Sequence, residues 1–242
     1  MENVTIETTQ DANVEPAEIA KFGRLADRWW DTSGPLATLH AINPLRTAYI
    51  AERAPLAGSA LLDVGCGAGI LSESLAQRGA RVTGIDLAAD SIDIARRHAA
   101  TAGLEIDYRV AAVESDIPPA SFDVVTCLEL LEHVPDPAAT IAACARAVRP
   151  GGRVFFSTIN RRPKSFLLAI VGAEYLLGML PRGTHDYLRF IRPSELGRAA
   201  RAAGLEIDDL SGLHYNPLTR AYRIGGNVDV NYLASARRAE AR

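Results

Sequence analysis

The apolar positions of this chain change their period along its length. Over residues 16–30 (PAEIAKFGRLADRWW), Ile19, Phe22, Leu25, Ala26 and Trp29 recur three to four apart, which predicts a helix with one buried face. A turn-rich DTSGP follows, then a second helix over 43–54 with Pro44 in its first turn. From residue 60, short apolar runs alternate with helix-like segments. ALLDVG (60–65), RVTGID (81–86), IDYRVAAV (106–113), FDVVTCLE (122–129) and GRVFFSTI (152–159) read as strands, and 70–78, 90–102 and 137–148 as helices. Continuously apolar strands separated by helices predict an α/β fold whose mainly parallel sheet is covered on both faces. Two later runs, 205–215 and 228–237, share a Gly-containing connection and predict an antiparallel finish. Residues 1–15, polar and aperiodic, read as a flexible arm. Residues 16–58 form a helical cap, and 59–242 the main domain.

One stretch breaks the alternation. Within an expected insertion over 161–201, the run from Phe166 to Leu180 is apolar except at Gly172, Glu174 and Gly178. The insertion carries eight Lys/Arg against three Asp/Glu, a charge of +5 in a chain of net charge −3, so the remainder stands at −8. The run falls short of the about 20 apolar residues that span a bilayer. Flanked by Arg161, Arg162, Lys164 and Arg182, it fits an interfacial segment whose cations meet anionic headgroups. It fits equally a buried helix that closes a pocket, or a partner interface.

Composition narrows the classes. The acidic balance argues against general nucleic-acid binding. With 242 residues, the chain can bury a core without disulfide or metal staples. Cys66, Cys127 and Cys144 are odd in number and lack paired spacing, so they read as free thiols in a reducing compartment. No basic start with an apolar run opens the chain, so a secretory signal is not expected and a cytoplasmic location is.

The sharpest motif is Asp63-Val64-Gly65-Cys66-Gly67-Ala68-Gly69, between an apolar strand and a helix. Glycines there allow a tight turn and close ligand approach, and the helix start supplies unpaired N–H groups. Asp86, seventeen residues beyond Gly69 at the end of the second strand, can accept both hydroxyls of a ribose. A dinucleotide fingerprint would need its third glycine where Ile70 stands. This D-x-G-x-G-x-G loop, with Asp86, FDVV at 122–125 and RPGGRVFFST at 149–158, resembles that of the class I S-adenosylmethionine-dependent methyltransferases. The resemblance implies their Rossmann-like fold: a seven-stranded, mainly parallel sheet with an antiparallel last strand.

Further elements narrow the likeness across nearly the whole chain. EIAKF, RWWD, LHAINPLR, YIAERA, LLDVGCGAGILSE, DVVTCLELLEHVPDP, FFSTINR, VGAEYLLGMLPRGTHD, GLHYNP and VDVNY resemble the ubiquinone biosynthesis O-methyltransferase family. That resemblance implies S-adenosylmethionine as cofactor, contacted by Arg46, Gly65, Asp86 and Leu128. With Asp63 and Gly67 of the loop and Leu87 beside Asp86, these make up the expected cofactor set. It also implies two O-methylations of polyprenylated phenols (2-polyprenyl-6-hydroxyphenol and 3-demethylubiquinol), contact with other ubiquinone-biosynthesis proteins, and peripheral placement at the inner face of the cytoplasmic membrane through 161–182. The rival readings are a methyltransferase for another small lipophilic phenol and a non-catalytic lipid-associated scaffold.

A phenol ionises near pH 10, so its methylation near neutrality needs a base or a metal. Glu129, Glu132 and His133 follow the fourth strand, at the sheet end where open α/β folds bind ligands. The two carboxylates would share a face if this stretch is helical. Together the three can ligate Mg²⁺ or another divalent ion, the ligand role the family resemblance also assigns them. His133 can instead act as a base without metal, or the group can be structural. Asp136 before Pro137 reads as a helix N-cap. His40, His185 and His214 are each a pocket candidate or a satisfied surface histidine. His98, beside Arg96 and Arg97, reads as solvent-exposed.

Overall fold

A computed structural model describes residues 13–23, 28–162 and 187–240. Outside the described residues lie 1–12 of the expected arm, 24–27 of the first helix, and 163–186 with the Phe166–Leu180 run, Lys164, Arg182 and His185.

Element names below follow chain order among the described residues. The cap holds α1 (Pro16–Gly23) and α2 (Ala37–Ala51). Then come β1 (Ala60–Val64), α3 (Ile70–Ala76), β2 (Arg81–Asp86), α4 (Ala89–Thr101), β3 (Asp107–Val110) and β4 (Phe122–Leu128). The second half holds α5 (Pro137–Ala147), β5 (Val148–Ile159), α6 (Pro193–Ala202), β6 (Leu205–Asn216), β7 (Ala221–Ile224) and β8 (Asn231–Arg238). They form one sheet in the order β3-β2-β1-β4-β5-β8-β6-β7. The β1–β2, β2–β3, β1–β4 and β4–β5 ladders are parallel, and β8 runs antiparallel to both β5 and β6.

Among the described residues the expected seven strands are therefore eight. The addition is β7, which folds back on β6 as a hairpin pairing Leu213–Asn216 with Ala221–Ile224. Its four residues, AYRI, are too short to stand out by period, and only pairing with β6 makes them a strand. The second cap helix also starts earlier than expected and carries Pro44 in its interior. An interior proline forfeits a backbone hydrogen bond. Burial outweighs that loss here, because Leu39, Ile42, Tyr49 and Ile50 pack with Leu71, Leu75 and Phe155 in one apolar cluster.

Neighbouring strand residues face opposite layers. Leu61, Val124 and Phe155 join the cap side, whereas Leu62, Val125 and Phe156 join Ile141, Leu196 and Ala200 of α5 and α6. With both faces covered, β1, β4 and β5 are buried along most of their length. The chain reverses its winding between β1 and β4, and ligands bind outside the carboxyl ends of strands at such a switch. Both candidate motifs leave the sheet there.

Candidate active site

The loop from Asp63 to Gly69 turns from β1 into α3 through left-handed backbone at Gly67 (φ 53°) and Gly69 (φ 93°). A Cβ at Gly67 would lie 2.2 Å from the Trp29 ring, and one at Gly69 2.2 Å from the Tyr108 hydroxyl, so backbone and neighbours close on each other without room for a side chain. Asp63, 2% exposed, anchors the loop: Ser72 Oγ donates to its Oδ2 at 2.6 Å and Thr126 Oγ1 to its Oδ1 at 2.7 Å. Burial pushes its carboxyl up, and those two hydroxyls pull it down. Asp86 accepts the Gly67 N–H at 2.9 Å and the Ala88 N–H at 2.8 Å. It therefore ties the glycine loop to the start of α4. Burial raises its pKa, opposed by these backbone N–H groups.

Arg46 lies 5% exposed on α2, and its Nε has no hydrogen-bond partner. Burial disfavours its charge, while Glu129 and Asp63 favour it. A buried cation with an unmet donor fits an anionic ligand group such as an amino-acid carboxylate. Arg46, Asp63, Gly65, Gly67, Asp86, Leu87 and Leu128 all line one cavity of 650 Å³. The expected cofactor set thus lines one cavity, together with a buried donor lacking a partner and the glycine turn held by Asp86.

The same cavity continues to Glu129, Glu132 and His133. Glu129 leaves β4 in left-handed backbone (φ 54°), and Leu131–His133 form a 3-10 turn, so the two glutamates do not ride one helix face. Ser157 Oγ donates to Glu129 Oε1 at 2.8 Å, and Asn231 Nδ2 approaches both its oxygens at 3.3 Å. Glu132, 4% exposed, instead takes the Thr158 hydroxyl at 2.8 Å on Oε2. Burial, with the Glu129 charge added, pushes Glu132 up to about 7. His133 Nδ1 meets Glu18 Oε2 of α1 at 2.8 Å.

Each of the three side chains is engaged by a different part of the protein, and among the described residues no group of three or more His, Cys, Asp or Glu could hold a metal ion. The stretch is a strand end followed by a 3-10 turn, and that geometry sends the side chains to Ser157, Thr158 and Glu18.

Asp136 does cap α5, accepting from Ala138 and Ala139 N–H at 2.9 and 3.2 Å. Asn13, placed by sequence in a flexible arm, bonds to the backbone of Asp136 in both directions at 2.7 Å and to Thr140 Oγ1 at 2.9 Å. His214 lines the cavity with Nε2 buried and unpartnered. His40 bonds the Trp29 carbonyl at 2.9 Å. His98, expected to be solvent-exposed, is half-buried, its ring stacked on Trp30. Sequence reasoning overlooked Glu18, Ser157, Thr158 and Asn231 as site residues. For Ser157, Thr158 and Asn231 the signal was a polar side chain in an otherwise apolar strand run; Glu18, on α1, carried none.

The fold and this loop define a class I S-adenosylmethionine-dependent methyltransferase. A family described as methyltransferase domain matches residues 40–210. In fold, the chain is similar to magnesium protoporphyrin IX methyltransferase from Synechocystis PCC 6803 with bound SAH, at TM-score 0.68 and 18% identity over 92% of this chain and 100% of that one. In sequence it is similar to the ubiquinone biosynthesis O-methyltransferases of Paracidovorax citrulli (58% identical over 97% of this chain and 100% of the relative) and Pseudomonas entomophila (58%, 95% and 100%). That of Thiobacillus denitrificans is 57% identical over 94% of this chain and 99% of its own length. The chain belongs to the ubiquinone biosynthesis O-methyltransferase family.

Proposed function

We propose that this protein transfers the methyl group of S-adenosylmethionine to a phenolic oxygen of polyprenylated catechol and hydroquinol intermediates of ubiquinone synthesis, in both O-methylation steps. One observation carries the reading: a single cavity joins the glycine loop, Asp86 and Arg46 to His133 and Glu129, in a chain 58% identical to relatives named for that reaction. S-adenosylmethionine supplies a methyl already activated by its sulfonium. What remains for the protein is alignment and removal of a proton.

Arg46 would hold the carboxylate of the methyl donor, Asp86 its ribose, and the loop backbone around Gly65 and Gly67 its flank. Holding two reactants in line supplies up to about 7–11 kcal/mol of a barrier in well-oriented systems. His133 is the proton acceptor. Glu18 Oε2, 2.8 Å from its Nδ1, orients the ring for that role. Glu129, oriented by Ser157 and Asn231, receives the hydrogen bond of a neighbouring ring hydroxyl.

Transfer of labelled methyl to a short-chain prenyl catechol tests this, with and without chelator. Product in both arms supports the reading, and no product from the folded, cofactor-binding protein refutes it. Activity lost in chelator and restored by Mg²⁺ would overturn the assignment of His133 as metal-free base.

A tail that partitions into lipid requires contact with a bilayer, and residues 161–182 supply apolar length and cations. No helix among the described residues is long and apolar enough to cross a membrane. Arg161 pairs with Glu195 and Arg162 with Asp229. Deleting 165–180 should abolish co-flotation with anionic liposomes; retained co-flotation removes the lipid role.

A further inference from the structure

The chain has two tryptophans, and both meet the glycine loop. Trp29 fills the space where a side chain at Gly67 would stand. Trp30 donates its indole N–H to the carbonyl of Ala68, inside the loop, at 3.0 Å. The Trp30 ring stacks on His98 of α4 with centroids 3.4 Å apart and planes 5° from parallel. His98 Nδ1 in turn bonds Glu73 Oε1 at 2.7 Å, and the Glu73 side chain is only 5% exposed. Glu73 sits in the first turn of α3, where its own N–H bonds the carbonyl of Gly69 at 2.9 Å.

These side-chain contacts run from the Ala68 carbonyl through Trp30 and His98 to Glu73 on α3, the helix into which the loop opens. Burying a carboxylate at Glu73 costs stability unless its partner satisfies it. The sheet core does not need that expense, because Trp30 and His98 are only half-buried and stand outside the clusters that cover the sheet. A loop with three glycines is intrinsically loose, and a ligand that must order it loses affinity by the same amount. A side-chain brace on the Ala68 carbonyl, seated against α4 and α3 through His98 and Glu73, removes part of that loss beforehand.

We propose that Trp30, His98 and Glu73 are positioning residues that pre-organise the glycine loop for the methyl donor, with His98 as the removable link. This rests on the reading of that loop as the S-adenosylmethionine site. It needs no particular phenol.

The test uses the full chain and S-adenosylhomocysteine alone, with Kd by calorimetry and release rate by the fluorescence of the two tryptophans. His98→Ala is expected to raise Kd about fivefold or more, chiefly through faster release. In turnover, the loss should fall on donor KM rather than on kcat. His98→Phe keeps the stack and His98→Gln an amide for Glu73, so each should recover part of the affinity. Trp30→Phe keeps a ring for His98 but removes the bond to Ala68, and should weaken binding as well. Should His98→Ala fail to fold, Trp30→Phe and His98→Gln give the same readout. Native affinity in folded His98→Ala and Trp30→Phe overturns the proposal. If unaltered protein binds S-adenosylhomocysteine but methylates no prenyl catechol, the substrate reading fails alone. If it binds and methylates while the variants match it, the brace fails alone.

Discussion

The wall of the cavity around the glycine loop is built mainly from one stretch, Asp63 to Asp86, a single strand–loop–helix–strand unit. The opposite wall draws Glu18 from α1, Glu129 and His133 from the end of β4, His214 from β6 and Asn231 from β8, with Ser157 of β5 behind Glu129. Closing the first costs little chain entropy, since its ends are near in sequence and already paired in the β1–β2 ladder. The second exists only once the whole sheet, with β8 inserted between β5 and β6, has formed. Donor binding should therefore survive damage to the second wall, and the chemical step should not.

The largest separation is expected from His133→Ala. Its kcat should fall about 100-fold or more, the range for loss of a positioned base, while Kd for S-adenosylhomocysteine by calorimetry stays unchanged. Equal loss of both would erase the contrast between the walls. Asp86→Ala probes the other side. Removing a carboxylate that holds the Gly67 and Ala88 N–H groups and can take the ribose should raise that Kd by about 10- to 100-fold. Unchanged affinity would detach Asp86 from the donor site.

Glu132→Gln is expected to have the smallest effect, and it reads the buried second wall through pH. Glu132 ionises at about 7 when folded against an ordinary value of 4.5, so its protonated form is the one the fold favours. Its full contribution is present below the unfolded value. Stability is then lost as pH rises toward and through about 7, by up to about 3 kcal/mol. Thermal midpoints across that window should fall less steeply in the glutamine variant. Parallel slopes would show that Glu132 stays solvated.

The same contrast explains what could be read from the chain alone. Strand–helix alternation and the D-x-G-x-G-x-G loop are local patterns, and each predicted element of the β1-to-β5 region stands within a few residues of its expected place. Asp136 capping α5 was legible for the same reason. Glu18 was not, because its partner His133 is remote in sequence and nothing around Glu18 marks it as more than a helix-face charge. The partners of His98 were not legible, because its sequence neighbours Arg96 and Arg97 are charged and mark only a solvated helix face. The stack with Trp30 comes from another segment. The separate partners of Glu129, Glu132 and His133 were not legible either: E-x-x-E-H spacing suggests one helical face, whereas left-handed Glu129 and a 3-10 turn give each side chain its own partner.

Local chemistry thus settled the fold class, the glycine cradle and Asp86, since apolar period, turn residues and a helix start act over a few residues. The eighth strand, the pairing of His133 with Glu18, the orientation of Glu129 by Ser157 and Asn231, and the contacts from Trp30 to Glu73 were decided by tertiary structure. They depend on which distant segments are packed side by side, and on burial, which turns ordinary polar residues into committed hydrogen-bond partners.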